Sequence, residues 1–140
     1  MLGRMLALGV EGGRVMLLDE TTGEVKWDVK AHSGQPGEDP WQPRPKVAMS
    51  PDGRFVASVG FDDEHWRLWD VASGAVHKVG TGACVCAVDE LGSPVLLDGC
   101  PAVAHIGGIW YAAFSPCGKR FATGGGDGAV IVWDVQSGQA

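Results

Sequence analysis

Residues 104–134, AHIGGIWYAAFSPCGKRFATGGGDGAVIVWD, decide the fold. They hold an alternating apolar run, a Ser-Pro-x-Gly turn, a second run closed by glycines, an aspartate in a tight turn, and a third run ending Trp133-Asp134. Each run is too short for an ordinary globular helix and is bounded by Gly, Pro or Asp, so three antiparallel strands are expected. Two reversals of the chain bring the loop before the first strand and the turn between the second and third to one end of the sheet. His105, Thr123, Asp127 and Trp133 are the polar-capable groups that this folding can gather. An imidazole that donates to a carboxylate and accepts from a hydroxyl, with that hydroxyl taking an indole N–H, leaves every member paired. Each such bond is worth about 1 kcal/mol net, and an orphaned member costs more.

These residues resemble a WD-repeat blade. Ala104-His105 stands where that family has Gly-His, SPCG where it has Ser-Pro-Asp-Gly, FATGGGDG where it has a Leu-Ala-Ser-Gly-Ser-x-Asp-Gly type of run, and VIVWD closes the unit. In the family, the four residues just named form a structural hydrogen-bond tetrad. The resemblance implies an all-β chain, a β-propeller built of four-stranded antiparallel blades.

The whole chain, residues 1–140, divides on the same pattern. A unit at about 31–79 opens with Ala31-His32 and continues through a loop, SGQPGEDPWQPR, with three prolines. KVAMSPDG, RFVASVG and HWRLWD then supply three strands, and AVHKV after Ser73-Gly74 supplies a fourth. His32, Ser58, Asp63 and Trp69 fit the tetrad here. Asp62 has the spacing to Ser58 and Asp63 the spacing to Trp69, and a lengthened turn favours Asp63. A unit at about 3–30, RMLALGV, RVMLLD and EVKWDV, has Leu18-Asp19 at the Trp-Asp position and Gly12 at that of the tetrad aspartate. It keeps the shape and lacks the network. Residues 80–103 read as a hairpin or a degenerate blade, and residues 104–140 as a blade without its outer strand.

Asp19, Asp70 and Asp134 mark units spaced more widely than the roughly 40–45 residues usual for this repeat. About three blades are therefore present, a partial propeller, whereas rings need about four to eight. The first unit lacks an inner strand and the last an outer one. Further blades of a longer chain, further copies of this one, or a partner are expected to complete the ring.

Composition sets outer limits. With 17 acidic against 11 basic residues the net charge is -6, the wrong sign for nucleic acid or an anionic membrane surface. No apolar run approaches a membrane span or a signal-peptide core. Cys84, Cys86, Cys100 and Cys117 lie among apolar residues without a second close-spaced ligand pair, so neither a metal nor another cofactor is expected. Small thiols of this kind fit a reducing, intracellular compartment, cytoplasmic or nuclear.

No catalytic residue is expected. The His-Ser-Asp grouping invites comparison with a hydrolase triad, but it recurs in two units, and catalysis needs one site whereas a structural lock repeats with the blade. Gly124–Gly128 lacks the Lys-Ser/Thr of a phosphate loop and leads into a strand. The expected role, implied by the resemblance, is a non-catalytic scaffold that binds other proteins through the face carrying Trp41, Phe61, Asp62 and Trp110, aromatics ringed by acids. Ala72 and Gln136 stand where WD-repeat receptors of cullin-RING ubiquitin ligases often have Arg, which gives that narrower role no support. The alternative rests on GGRVMLLDETTGEVKW, which resembles a repeat of the quinoprotein propellers and implies a segment of a propeller enzyme.

Overall fold

A computed structural model of the chain describes residues 4–32, 44–60, 65–81, 108–126 and 128–138. The first sheet has β1 (Met5–Val10), β2 (Arg14–Asp19) and β3 (Val25–Lys30), joined in that order. The second has four strands in sequence order, β4 (Lys46–Met49), β5 (Phe55–Val59), β6 (His65–Asp70) and β7 (Val76–Thr81). The third has β8 (Ile109–Phe114), β9 (Arg120–Gly125) and β10 (Val130–Asp134). Every pairing is antiparallel, as hairpin-length connections dictate. Among the described residues there is no α-helix and no sheet closes on itself, so the all-β, open arrangement expected from the sequence is the one observed.

β7 runs two residues into the stretch read as a hairpin, through Gly80 and Thr81. The remainder of that hairpin, residues 82–103, lies outside the described residues. Gly80 is demanded by its neighbour, because a Cβ there would lie 1.8 Å from the Trp66 ring.

The turns that end β2, β6 and β10 are one device built three times. The Asp19 carboxylate accepts from the Thr21 and Thr22 amides at 2.8 and 3.1 Å. Asp70 accepts from the Ser73 amide and hydroxyl at 3.0 and 3.1 Å. Asp134 accepts from the amides of Gln136 and Ser137 at 3.0 and 2.8 Å. In each case the glycine four residues on donates its amide to the aspartate carbonyl at 2.8 Å. The aspartate of the Trp-Asp signature is thus a turn cap.

These bonds hold all three carboxylates below the ordinary Asp value, chiefly through the Thr22, Ser73 and Ser137 amides respectively. A depressed carboxylate stabilises the fold above its unfolded value of about 3.9 and loses that contribution as pH falls through the lower folded value. Stability is therefore expected to be flat in this respect at neutral pH and to decline below about pH 4. Asp70→Asn and Asp134→Asn should blunt the decline in acid-unfolding curves, and curves unchanged by both substitutions would remove these caps as its source.

Period-two alternation distributes the core between two junctions. Val56 and Trp69 of the second sheet pack with Val15 and Leu17 of the first. Ala57, Val59, Trp66 and Leu68 point the other way and pack with Ile109, Phe121, Ile131 and Trp133 of the third. The Trp66 ring meets Phe121 edge-on at 4.9 Å and Trp133 at 5.0 Å, geometries that favour aromatic attraction. At the other junction Trp27 lies 6.2 Å from Trp69 and donates its indole N–H to the Val71 carbonyl at 3.0 Å. Trp27 also seats against Gly74, which has φ +71 and no room for a Cβ. The tryptophan of the quinoprotein-like segment is therefore a clamp between sheets.

Candidate functional site

Two buried indole–hydroxyl pairs organise the second and third sheets. Trp69 donates its Nε1–H to Ser58 Oγ at 2.8 Å, and Trp133 donates to Thr123 Oγ1 at 2.8 Å. Ser58, Thr123 and both rings are buried. Their positions follow from register. Phe55 pairs with Asp70 and Arg120 with Asp134, which sets each hydroxyl three residues along β5 or β9 and each indole one residue before the turn aspartate. In the first sheet Met5 pairs with Asp19, so Leu8 and Leu18 occupy the equivalent places and no polar pair can form.

His32 enters the second sheet's network from the segment before β4. The Gly13 carbonyl accepts from the Ala31 and His32 amides at 3.0 and 2.8 Å, which docks this segment on the turn between β1 and β2. The buried imidazole then places Nε2 2.9 Å from Ser58 Oγ. Its other nitrogen, Nδ1, lies 3.1 Å from the Arg67 guanidinium. Arg67 pairs with Ser58 across the ladder and shares its face, so its place in the group follows from alternation along HWRLWD. The sequence reading missed it. A guanidinium only donates, so when it bonds Nδ1 that nitrogen is the acceptor and Nε2 carries the hydrogen.

The structure brings together His32, Ser58 and Trp69, and Thr123 with Trp133. Asp63, His105 and Asp127 lie outside the described residues, as do Trp41, Phe61 and Asp62. Replacing Ser58 by alanine orphans the Trp69 N–H in a dry interior, and about 1–3 kcal/mol of stability is expected to go with it. A urea titration of Ser58→Ala beside the parent reads this directly, and equal midpoints would remove the hydroxyl from the lock.

Trp110, the remaining candidate on the loop face, is half exposed. Its exposure has a local cause. Ile109 pairs with Gly125 and Tyr111 with Gly124, so Trp110 is an extra residue that the ladder cannot accommodate. Such a bulge re-aims side chains at a sheet edge. The Gly126 amide bonds the Gly108 carbonyl at 3.1 Å, which ties the β9–β10 turn to the segment before β8. At the same end Arg44, before β4, reaches Glu11 of the β1–β2 turn at 3.2 Å. The segments preceding β4 and β8 and the β1–β2 and β9–β10 turns thus form one face. Beside Glu11 and Arg44, an open hollow of about 360 Å³ is lined also by Val10, Arg14 and Met16.

The opposite ends carry the Ser-Pro-x-Gly turns. Asp52 accepts from the Ser50 hydroxyl at 2.6 Å and from the Arg54 amide at 3.1 Å. In the third sheet Cys117 takes that place, 3.4 Å from Ser115 Oγ, and this contact lowers its thiol below the ordinary value. Among the described residues no group of His, Cys, Asp and Glu could hold a metal ion. No helix among them is long and apolar enough to cross a membrane.

Comparison with known proteins agrees with this geometry. Residues 46–70 and 99–134 match the WD domain, G-beta repeat family, stretches that take in β4–β6 and β8–β10. Actin-interacting protein 1 of Drosophila melanogaster is 34% identical over 91 residues, 65% of this chain and 12% of that protein. Protein HIR1 of Yarrowia lipolytica is 32% identical over 97 residues, 65% of this chain and 9% of that protein. The chain thus spans about a tenth of the length of these relatives. On these matches and this register, the second and third sheets match repeats of the WD40 family, and the open all-β arrangement of three antiparallel sheets is that of a partial β-propeller.

Proposed function

We propose that the chain binds partner proteins through the face formed by the segments before β4 and β8 and the turns beside them, without catalysis of its own. WD40 repeats support a protein-interaction scaffold in general. The observation that carries the finer reading is Trp110, held half exposed on that face by a bulge, where a large aromatic contributes most to an interface. The sequence alone assigns Trp41, Phe61 and Asp62, which lie outside the described residues, to the same face. The His32 and Ser58 groups that suggest a triad are engaged in packing two sheets, which supports a structural role for them. An exposed thiol at Cys117 fits an intracellular setting.

Actin is the first partner to test, because the Drosophila relative is named for interacting with it. A photo-crosslinking amino acid at position 110 is expected to give an actin adduct, with none from position 52 on the opposite turns. Trp110→Ala should weaken binding about tenfold or more, the scale of an interface anchor. Adducts from position 52 alone, or affinity untouched by Trp110→Ala, would overturn the assignment of this face.

A further inference from the structure

The registers align the three sheets residue by residue and expose a mismatch in what covers them. One face of each sheet packs on the sheet that follows. It carries Ala7, Gly9, Val15 and Leu17 in the first sheet, and Ala57, Val59, Trp66 and Leu68 in the second. In the third, the same places hold Ala122, Gly124, Val130 and Val132. Val15, Leu17, Trp66 and Leu68 are buried, whereas Val130 and Val132 are 71% and 49% exposed. Tyr111, paired with Gly124, adds an exposed ring to this uncovered face. The reverse face of each sheet packs on the sheet before it. It carries Val56, Ser58 and Trp69 in the second and Phe121, Thr123, Ile131 and Trp133 in the third. The first sheet holds Leu6, Leu8, Met16 and Leu18 there, and Leu6 is 45% exposed. Among the described residues, the chain therefore presents one uncovered member of each complementary kind.

We propose that these two faces pair between two copies of the chain, the β1–β3 face of one on the β8–β10 face of the other. The contact continues the packing that already joins the three sheets, apolar on both sides and backed by small residues, Ala122 and Gly124, that admit larger ones. Among the described residues, no atom other than those of Gly124 and its chain neighbours lies within 4 Å of where a Cβ there would sit, so a partner side chain has room to enter. The hollow beside Val10 and Met16 offers a recess for Tyr111 of the second copy. The pairing is heterologous, and such contacts close only if the rotation permits. Two copies of three sheets satisfy the range of about four to eight blades for a closed ring. The inference goes beyond the loop-face reading and stands apart from it, since actin adducts at position 110 can be absent while the dimer persists.

Light scattering on a sizing column tests it, with the 14.7 kDa chain expected at twice that mass. Leu6→Asp and Val132→Asp, each on one uncovered face, should both run at the single-chain mass with the β circular-dichroism signal intact. Mixing the two variants should restore a dimer, because one undamaged face of each kind remains to pair. Should Val132→Asp lose its β signal, Val130→Lys on the same face replaces it. A parent chain at the single mass, a dimer indifferent to both substitutions, or a mixture that stays monomeric would overturn the proposal.

Discussion

Trp133→Ala is expected to lower stability by about 3–5 kcal/mol, the range for emptying a large aromatic from a packed core. The ring lies 5.0 Å from Trp66 and 6.4 Å from Phe121, so its loss opens a cavity at the junction of the second and third sheets. The hydrogen bond to Thr123 is lost as well, and Trp133→Phe separates the two contributions by keeping most of the volume. Trp66 provides the contrast. Its buried indole N–H has no hydrogen-bond partner among the described residues, so Trp66→Phe sacrifices no bond seen there and should cost less than Trp133→Phe. Urea titrations of the three variants beside the parent give the comparison. A Trp133→Ala midpoint within about 1 kcal/mol of the parent would place the ring outside the junction.

Gly9→Ala is the second change expected to have a large effect. A Cβ there would lie 1.8 Å from the Pro45 carbonyl oxygen and 2.8 Å from its carbon, so backbone rather than a mobile side chain stands in the way. Either β1 or the segment leading into β4 must shift, and about 3 kcal/mol, the upper part of the usual overpacking range, is expected. Gly124 is the register equivalent in the third sheet, where the same Cβ would meet nothing within 4 Å. Gly124→Ala should therefore stay within about 0.5 kcal/mol in the monomer. Equal losses at the two glycines would mean that strand propensity, and not the approach of Pro45, dictates glycine at position 9.

Much of this fold is legible in the sequence because its signals are short and local. Apolar runs of strand length, Ser-Pro-x-Gly turns and the spacing of Ser58 to Trp69 and Thr123 to Trp133 depend on residues close in the chain. Three features are not legible, each for a physical reason. The bulge at Trp110 breaks alternation by one residue, and an apolar run such as IWYAAF does not mark which residue is extra. Arg67 is not legible because a charged strand residue ordinarily faces water, and only the pairing with Ser58 turns it toward His32. The uncovered faces of the first and third sheets emerge only when the three registers are superimposed. Asp19, Asp70 and Asp134 marked the repeat in the sequence, but their work as turn caps shows only in the carboxylate contacts.

The pairs Ser58–Trp69 and Thr123–Trp133 are central, since the proposed non-catalytic role rests on reading them as structural locks. Hydrogen exchange of the tryptophan indole protons, followed by nuclear magnetic resonance, tests this most directly. In the parent, the Trp69 and Trp133 indole protons should exchange as slowly as the β5 and β9 amides beside them. Ser58→Ala should speed exchange at Trp69 and leave Trp133 unchanged. Rapid exchange at both indoles in the parent, or a Trp69 rate indifferent to Ser58→Ala, would contradict the lock.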